Sequence, residues 1–192
     1  QKLNPNSPPT VVMHGSFDTH HLGEIATKAI YLITKKRPDV HFLFIGKETI
    51  ALKKLTKKIK KLSPSTNITC TGFIDYKRIP EKLSYGHVGI IPYEESAGAH
   101  CAFVAKMVEY AAVGLPVVST PLAGTKKFFS NEPTILFSKF DGKKFSEDTL
   151  ITLNSTLNLK TTDSLTKRVE TELDWNVICD NIINKLEAAH TC

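Results

Sequence analysis

The sequence predicts an α/β fold, a doubly wound parallel sheet of about six strands followed by C-terminal helices. Short apolar runs rich in β-branched residues alternate with longer segments of helical periodicity along most of the chain. The runs are continuous rather than alternating, which indicates strands covered on both faces. From Lys144 onward the runs stop and only helical periodicity remains. Right-handed strand–helix–strand units of this kind build a Rossmann-like sheet.

The predicted elements follow directly from these patterns. Strands are expected at residues 10–13, 41–45, 68–71, 88–91, 116–119 and 134–137. Helices are expected at residues 23–36, 50–62, 79–85, 104–113, 125–130, 145–157, 164–173 and 175–188. Asp174 can cap the last helix by accepting from a free N–H group of its first turn. Ligands of such sheets bind at the carboxyl ends of the strands, so we examined the loops after Met13, Ile45, Thr71, Ile91 and Ser119.

Length and composition predict one soluble globular domain. The chain has 192 residues, of which 41% are hydrophobic and 23% charged, and it contains no apolar run long enough to span a membrane. The polar, proline-rich residues 1–9 are interpreted as an interdomain linker and residues 10–192 as the domain, so we expect a fragment of a longer protein. Its four cysteines lack metal-ligand spacing, which indicates reduced thiols and a cytoplasmic location.

The net charge of +6 is concentrated in one predicted helix. This helix contains Lys53, Lys54, Lys57, Lys58, Lys60 and Lys61. A solvated helix face is the simpler interpretation. A second interpretation is peripheral contact with an anionic membrane at its inner face, where each basic residue contributes about 1 kcal/mol. Nucleic acid is disfavoured because no aromatic residues are interleaved for stacking.

Several kinds of site are unsupported by the sequence. It has no G-x-G-x-x-G fingerprint, no Walker A motif, no Ser-His-Asp set and no metal-ligand cluster, so we expect neither a cofactor nor a metal. His20 and His21 are adjacent and would point in different directions. Gly15, after the first strand, would let the backbone approach a ligand, and the helix start near Gly23 would offer unpaired N–H groups to an anion.

The most informative segment runs from residue 90 to residue 120. A strand ends at Pro92, a polar loop follows, and a helix containing Lys106 and Glu109 leads back to the next strand. These two residues are three apart and share a helical face, where the simplest alternative is a surface ion pair. The residues at 114–116 would end the helix before a buried strand. The order of these features indicates a ligand-binding cleft.

With these features the chain resembles the C-terminal domain of retaining GT-B glycosyltransferases of the family 4 type, the glycosyl transferases group 1. The resemblance rests on residues 11–16, 37–46 and 67–74, on the Lys-x-x-Glu-Tyr-x-Ala-x-Gly-x-Pro-Val-Val segment from Lys106, and on Trp175. It implies one half of a GT-B fold that binds a nucleoside-diphosphate sugar without a metal. The acceptor would be bound by an N-terminal domain of the same protein.

The resemblance also implies roles for individual residues. Glu109 matches the glutamate that accepts from both ribose hydroxyls. The turn expected to receive the base consists of Gly72, Phe73 and Ile74. The loop expected to lie against the diphosphate contains Gly15 and Ser16. The N–H groups expected to bind phosphate are those of Ala102, Phe103 and Val104.

Three positions depart from the family pattern. Cys101 stands where many members carry a second glutamate, and Ser16 and Leu22 stand where they carry an Arg and a Lys that neutralise the diphosphate. Lys106 is therefore our first candidate for this charge. Weaker candidates are His20, His21 and Lys47.

Three alternatives remain open. One is a non-catalytic nucleotide-binding or interaction module of the same fold, which the three departures favour. A second is an enzyme resembling sugar-nucleotide 2-epimerases, against which the Lys-x-x-Glu-Tyr segment argues. A third is a generic α/β domain of the receiver type, against which the length and the three closing helices argue. The sequence specifies neither the base, nor the sugar, nor the acceptor.

Overall fold

The protein was analysed as a computed structural model that describes residues 7–18, 21–156 and 163–190. Six strands of the described residues form one parallel sheet in the order β3-β2-β1-β4-β5-β6, which confirms the predicted fold class. The strands are β1 (Thr10–His14), β2 (His41–Ile45), β3 (Asn67–Cys70), β4 (Val88–Ile91), β5 (Val117–Ser119) and β6 (Ile135–Phe137).

The helices lie close to their predicted positions. They are α1 (Glu24–Lys36), α2 (Ile50–Leu62), α3 (Ile79–Leu83), α4 (Ala97–Cys101), α5 (Ala105–Ala112), α6 (Ala123–Phe129), α7 (Gly142–Thr156), α8 (Asp163–Glu172) and α9 (Trp175–His190). The helix predicted at residues 145–157 corresponds to α7, and its predicted end at Leu157 lies outside the described residues. Helix α4 was not predicted, because its one turn is too short for periodicity; it is capped by the Ser96 hydroxyl, which accepts from the Ala99 N–H at 3.1 Å.

The core lies on both faces of the sheet, as continuous apolar strands require. Val11 and Met13 of β1 pack on one face, and Val12 packs on the other. Helices α1, α2 and α7 cover the first face through Ile25, Leu52 and Phe145. Helices α5, α6 and α8 cover the second through Met107, Phe129 and Leu165.

The C-terminal helix α9 stands apart from this core. Its predicted cap is confirmed, since the Asp174 carboxylate accepts from the Asn176 N–H at 2.8 Å. Trp175, Ile182, Ile183 and Leu186 are exposed. No helix in the described part of the chain is long and apolar enough to cross a membrane.

The strand order reverses between β1 and β4, and the two strands part there. β1 is in register with β2 from Thr10 to His14, whereas its register with β4 covers only Val11 and Val12. The carboxyl ends of β1 and β4 therefore border an open crevice. In a sheet of this order, that crevice is where ligands bind.

Candidate functional site

The crevice begins at the turn that follows β1. Gly15 has a φ of +101°, a conformation that L side chains rarely adopt, and its N–H donates to the Ile45 carbonyl at 2.9 Å. A Cβ at this position would lie 2.6 Å from Cε of Lys106. The absence of a side chain thus lets the backbone turn tightly and lets Lys106 lie against it.

A buried histidine and a glutamate meet beside this turn. His14, the last residue of β1, is 3% exposed, and its Nε2 contacts Oε2 of Glu109 from α5. Because a carboxylate only accepts, the imidazole donates from Nε2. The His14 backbone N–H donates to the Tyr110 hydroxyl at 3.1 Å. His14 therefore fixes the orientation of the Glu109 carboxylate at the crevice.

The Glu109 carboxylate is held in its charged form. Burial raises its pKa, but hydrogen bonds from His14 and Tyr76 and the nearby charge of Lys106 outweigh burial, so the pKa lies below its ordinary value. Glu109 in turn raises the pKa of the Tyr76 hydroxyl, chiefly through its negative charge. Glu109 is thus an ionised, partly exposed acceptor, suited to a ligand with paired hydroxyl groups.

Lys106 brings a partly buried cation into the same crevice. Its Nζ donates to the Tyr93 hydroxyl at 2.8 Å and lies 5.0 Å from the centre of the Tyr93 ring. Burial lowers the pKa of Lys106 to about 8, although the charges of Asp18 and Glu109 act in the opposite direction. A lysine of this kind gains most from an anionic ligand, because the ligand would restore the solvation that burial removed.

The residues expected to receive the base lie in a turn, and two of the residues considered for the diphosphate are exposed. Gly72 has a φ of +70° and open space around it, Phe73 is 87% exposed, and Ile74 packs against the second core cluster. Ser16 and Lys47 are exposed, and the Ser16 hydroxyl donates to Asp18 at 3.3 Å.

Leu22 and His21, discussed above for phosphate charge, and Cys101 have other surroundings. Leu22 is buried in the first core cluster. His21 contacts Asp18 at 2.6 Å and lies edge-on to the Tyr93 ring at 4.6 Å, while His20 lies outside the described residues. Cys101 is exposed at the end of α4.

The N–H groups expected to receive phosphate are partly engaged. The Ala102 N–H donates to the Ala99 carbonyl, and the Val104 N–H donates to the Thr125 hydroxyl, each at 3.2 Å. Phe103 is exposed beside Phe128 and Phe129. A phosphate contact through Ala102 and Val104 stays a prediction, and it would require these two bonds to be exchanged.

One expectation about anion binding was wrong. The start of α1 was expected to offer unpaired N–H groups near Gly23, but the Glu94 carboxylate occupies this helix end and accepts from the Ile25 N–H at 2.8 Å. A Cβ at Gly23 would lie 2.4 Å from Glu94 Oε1, so the glycine makes room for that contact. The carboxylate thus accepts from one N–H group of the first turn and places a negative charge at the helix N-terminus, where the helix dipole favours it.

Sequence reasoning missed His14, Tyr76, Tyr93 and Glu94 as members of this site. A weak signal for His14 existed, since it ends β1 and therefore lies at the ligand-binding edge of the sheet. For Tyr93 the signal was its place directly after the strand end at Pro92. The partners of His14 and Glu94 lie 95 and 69 residues away, so their contacts require the three-dimensional fold.

The chain is thus a doubly wound, Rossmann-like α/β domain with an acidic acceptor and a partly buried cation at the switch point of its sheet. Residues 8–155 match the family model described as glycosyl transferases group 1. The chain belongs to this family of glycosyltransferases.

Similar proteins agree with this assignment. The chain is 30% identical over 110 residues to a Bacillus subtilis (strain 168) protein named as a teichuronic acid biosynthesis glycosyltransferase, TuaH; the match covers 55% of the chain and 27% of TuaH. The chain thus spans about a quarter of that relative.

Solved structures show the same fold, which is the GT-B glycosyltransferase type. Anabaena HepE in complex with UDP has a TM-score of 0.77 at 17% identity, covering 94% of this chain and 49% of HepE. A mutant of S. aureus TarM in complex with Fondaparinux, alpha-GlcNAc-glycerol and UDP has a TM-score of 0.75 at 14% identity, covering 96% of this chain and 36% of TarM. The C-terminal domain of LpcC from Francisella tularensis has a TM-score of 0.69 at 18% identity, covering 87% of each chain.

Proposed function

We propose that this domain is the donor-binding half of a retaining glycosyltransferase, which transfers a sugar from a nucleoside-diphosphate sugar to an acceptor. The observation that carries the proposal is the pairing of an ionised acceptor, Glu109, with a partly buried cation, Lys106, one helical turn apart at the switch point of the sheet. A nucleoside diphosphate offers a ribose diol and an anionic diphosphate. These two groups match the two side chains.

Each part of the donor has a proposed contact. Glu109, oriented by His14, accepts from the ribose hydroxyls. Lys106 moves from Tyr93 to the diphosphate, which lies against the turn at Gly15 and Ser16. The base lies in the open turn at Gly72–Ile74, where the exposed Phe73 ring is free to stack on it. We propose a uridine nucleotide first, since the solved HepE and TarM complexes contain UDP.

The chemical task of the site is to stabilise the departing diphosphate. A fixed cation in a partly desolvated crevice lowers the energy of the charge that develops on the leaving oxygen. Because Lys106 supplies positive charge without a metal ion, we propose that transfer is metal-independent. Nucleotide binding is then expected to be equal in magnesium and in EDTA.

We place the acceptor site on an N-terminal domain of the same protein. The supporting observations are that the chain covers less than half of TarM and HepE but 87% of a solved C-terminal domain. On this proposal the 192-residue chain binds nucleotide weakly and transfers nothing by itself. The proposal also includes peripheral contact of the protein with an anionic membrane, through the lysines of α2.

The test is calorimetric titration of the chain with UDP, GDP and ADP. We expect UDP to bind, and Glu109→Ala to weaken binding at least about tenfold, as expected when hydrogen bonds to a charged group are lost. Glu170→Ala removes an exposed carboxylate of α8 and is the matched control, with unchanged affinity expected. If no nucleotide binds the folded chain at millimolar concentration, the proposal is wrong.

A second candidate is a non-catalytic nucleotide-binding module of the same fold. It is favoured by Cys101, exposed where many relatives carry a second glutamate. Measuring sugar transfer by the full-length protein, with and without the substitution Cys101→Glu that restores this glutamate, distinguishes the transferase from the non-catalytic module. If the unmodified full-length protein transfers sugar from a donor, the non-catalytic candidate is excluded.

A further inference from the structure

A lysine-rich groove runs between α1 and α2, on the face of the sheet opposite to α5. Helix α2 carries six lysines and no acidic residue. Two of these lysines have partners: Lys53 pairs with Glu48 at 3.4 Å, and Lys60 donates to the Thr66 carbonyl at 2.6 Å. The other four, Lys54, Lys57, Lys58 and Lys61, are exposed and have no ion pair or hydrogen bond within the described part of the chain.

The groove has an apolar floor between basic walls. Its floor consists of Leu22, Tyr31, Ala51 and Leu55, and its walls carry Lys28, Lys54 and Lys58. The half that reaches Leu62 has a volume of about 560 Å³. One carboxylate, Glu24, stands at the rim, and Lys28 lies 4.0 Å from Asp141. The wall therefore keeps a surplus of positive charge.

Two aliphatic side chains project at the ends of this helix. Ile50, the first residue of α2, is 74% exposed, and Leu62, the last, is 49% exposed. A helix that is only a solvated surface element gains nothing from exposed aliphatic ends beside unpaired lysines. A bilayer interface satisfies both, because its phosphates pair with ammonium groups and its acyl boundary accepts aliphatic side chains.

From this arrangement we infer that the α1–α2 face binds an anionic phospholipid bilayer. The lysines contact lipid phosphates, while the exposed Ile50 and Leu62 contact the acyl boundary. A nucleic acid would use the same charge, but α2 has no aromatic side chain on which bases could stack, and the one aromatic residue of the groove, Tyr31 of α1, is half-buried. The inference deepens the membrane contact proposed above by naming the face, the apolar contacts and the orientation.

The orientation follows from where α2 begins. Thr49 caps α2 and its hydroxyl also donates to the Phe17 carbonyl, in the loop that follows β1. Leu22 and Gly23 line the groove, and Gly23 lies against Glu94, next to Tyr93 of the crevice. A bilayer on the α1–α2 face would therefore lie next to the edge of the sheet that carries the crevice. This orientation favours an acceptor held at the membrane surface, a consequence that rests on the proposed function.

The test is sedimentation of the 192-residue chain with vesicles of phosphatidylcholine alone and with about one-third phosphatidylglycerol. We expect at least about tenfold tighter binding to the anionic vesicles, weakening at high salt. Changing Lys54, Lys57, Lys58 and Lys61 together to Glu is expected to abolish binding. The charge-matched control changes four exposed lysines elsewhere, Lys126, Lys127, Lys139 and Lys167, to Glu and is expected to retain most of the binding.

A second variant separates a bilayer from other anions. Ile50→Ser with Leu62→Ser leaves every charge in place, and we expect it to weaken vesicle binding severalfold while leaving the chain folded. Equal binding to both vesicle types, equal loss in the two charge variants, or tighter binding to a single-stranded oligonucleotide than to anionic vesicles would each overturn the inference. UDP titration of the same variants distinguishes this failure from failure of the donor site, since neither variant alters the crevice.

Discussion

Helices α5 and α2 each carry lysine on a surface that we propose to bind a ligand, and the surroundings of the lysines are opposite in the two helices. In α5 a single lysine is partly buried, hydrogen-bonded to Tyr93, and has its pKa lowered to about 8. In α2 four lysines are exposed and unpaired within the described residues. A buried charge is specific and costs stability, whereas exposed charges act additively and are screened by salt. The same residue type can therefore serve recognition in one helix and attraction in the other.

The largest expected effect comes from removing the buried charge. A folded-state pKa of about 8 against an ordinary 10.5 means that the ammonium of Lys106 costs on the order of 3 kcal/mol at pH 7. We expect Lys106→Met to raise the thermal midpoint at pH 7 by roughly 5 °C or more and to weaken UDP binding. Lys57→Met on α2 is the control, with no change expected in either quantity.

The stability gained by Lys106→Met should depend on pH, which gives a sharper test of the charge on Lys106. Folded Lys106 loses its proton near pH 8 and unfolded Lys106 near its ordinary value of 10.5. Between these values the unfolded state binds more protons, so the unmodified chain gains stability as pH rises. The advantage of Lys106→Met should therefore shrink between pH 8 and about 10.5. A gain that is constant with pH, or a variant that is less stable at pH 7, would contradict the assigned burial of the charge.

An intermediate effect is expected at His14, which orients Glu109 from inside the core. His14→Leu removes the donor and should weaken UDP binding roughly tenfold, because a hydrogen bond to a charged group is lost. His14→Gln keeps a donor at similar reach and should bind within about threefold of the unmodified chain. The readout is the ratio of affinities for UDP and for its 2′-deoxy analogue, which should fall for His14→Leu. An unchanged ratio would assign His14 a structural role only.

The strands and longer helices were predictable because their signals are local. β2, β4 and α2 lie at the predicted residues. The two strands are uninterrupted apolar runs, and α2 alternates apolar residues and lysines with helical spacing, so few other secondary structures fit these segments. The motif also identified Lys106 and Glu109 as neighbours on α5. Their partners were not predictable, because His14 reaches Glu109 only when β1 and β4 lie side by side. The carboxylate of Glu94 at the start of α1 depends on the same long-range arrangement.

The smallest expected effect concerns one lysine of α2. Lys57 is exposed and, within the described part of the chain, unpaired, so Lys57→Ala should change the free energy of unfolding by less than about 0.5 kcal/mol. UDP affinity should also be unchanged. Urea denaturation at low and high salt measures the first quantity. A larger loss, insensitive to salt, would mean that α2 lysines contribute to packing, and the contrast with α5 would disappear.

The parting of β1 from β4 has a consequence for how the crevice meets its ligand. Where the ladder ends, the peptide N–H of His14 would lack an acceptor, and the Tyr110 hydroxyl fills that place. The ring of the same tyrosine lies where a Cβ of Gly89 would be, 2.8 Å from its Cδ2, so it holds β4 at a set distance. One side chain thus both packs against β4 and accepts from the last N–H group of β1. The opening is preorganised when the domain folds, and an incoming ligand need not force the sheet apart.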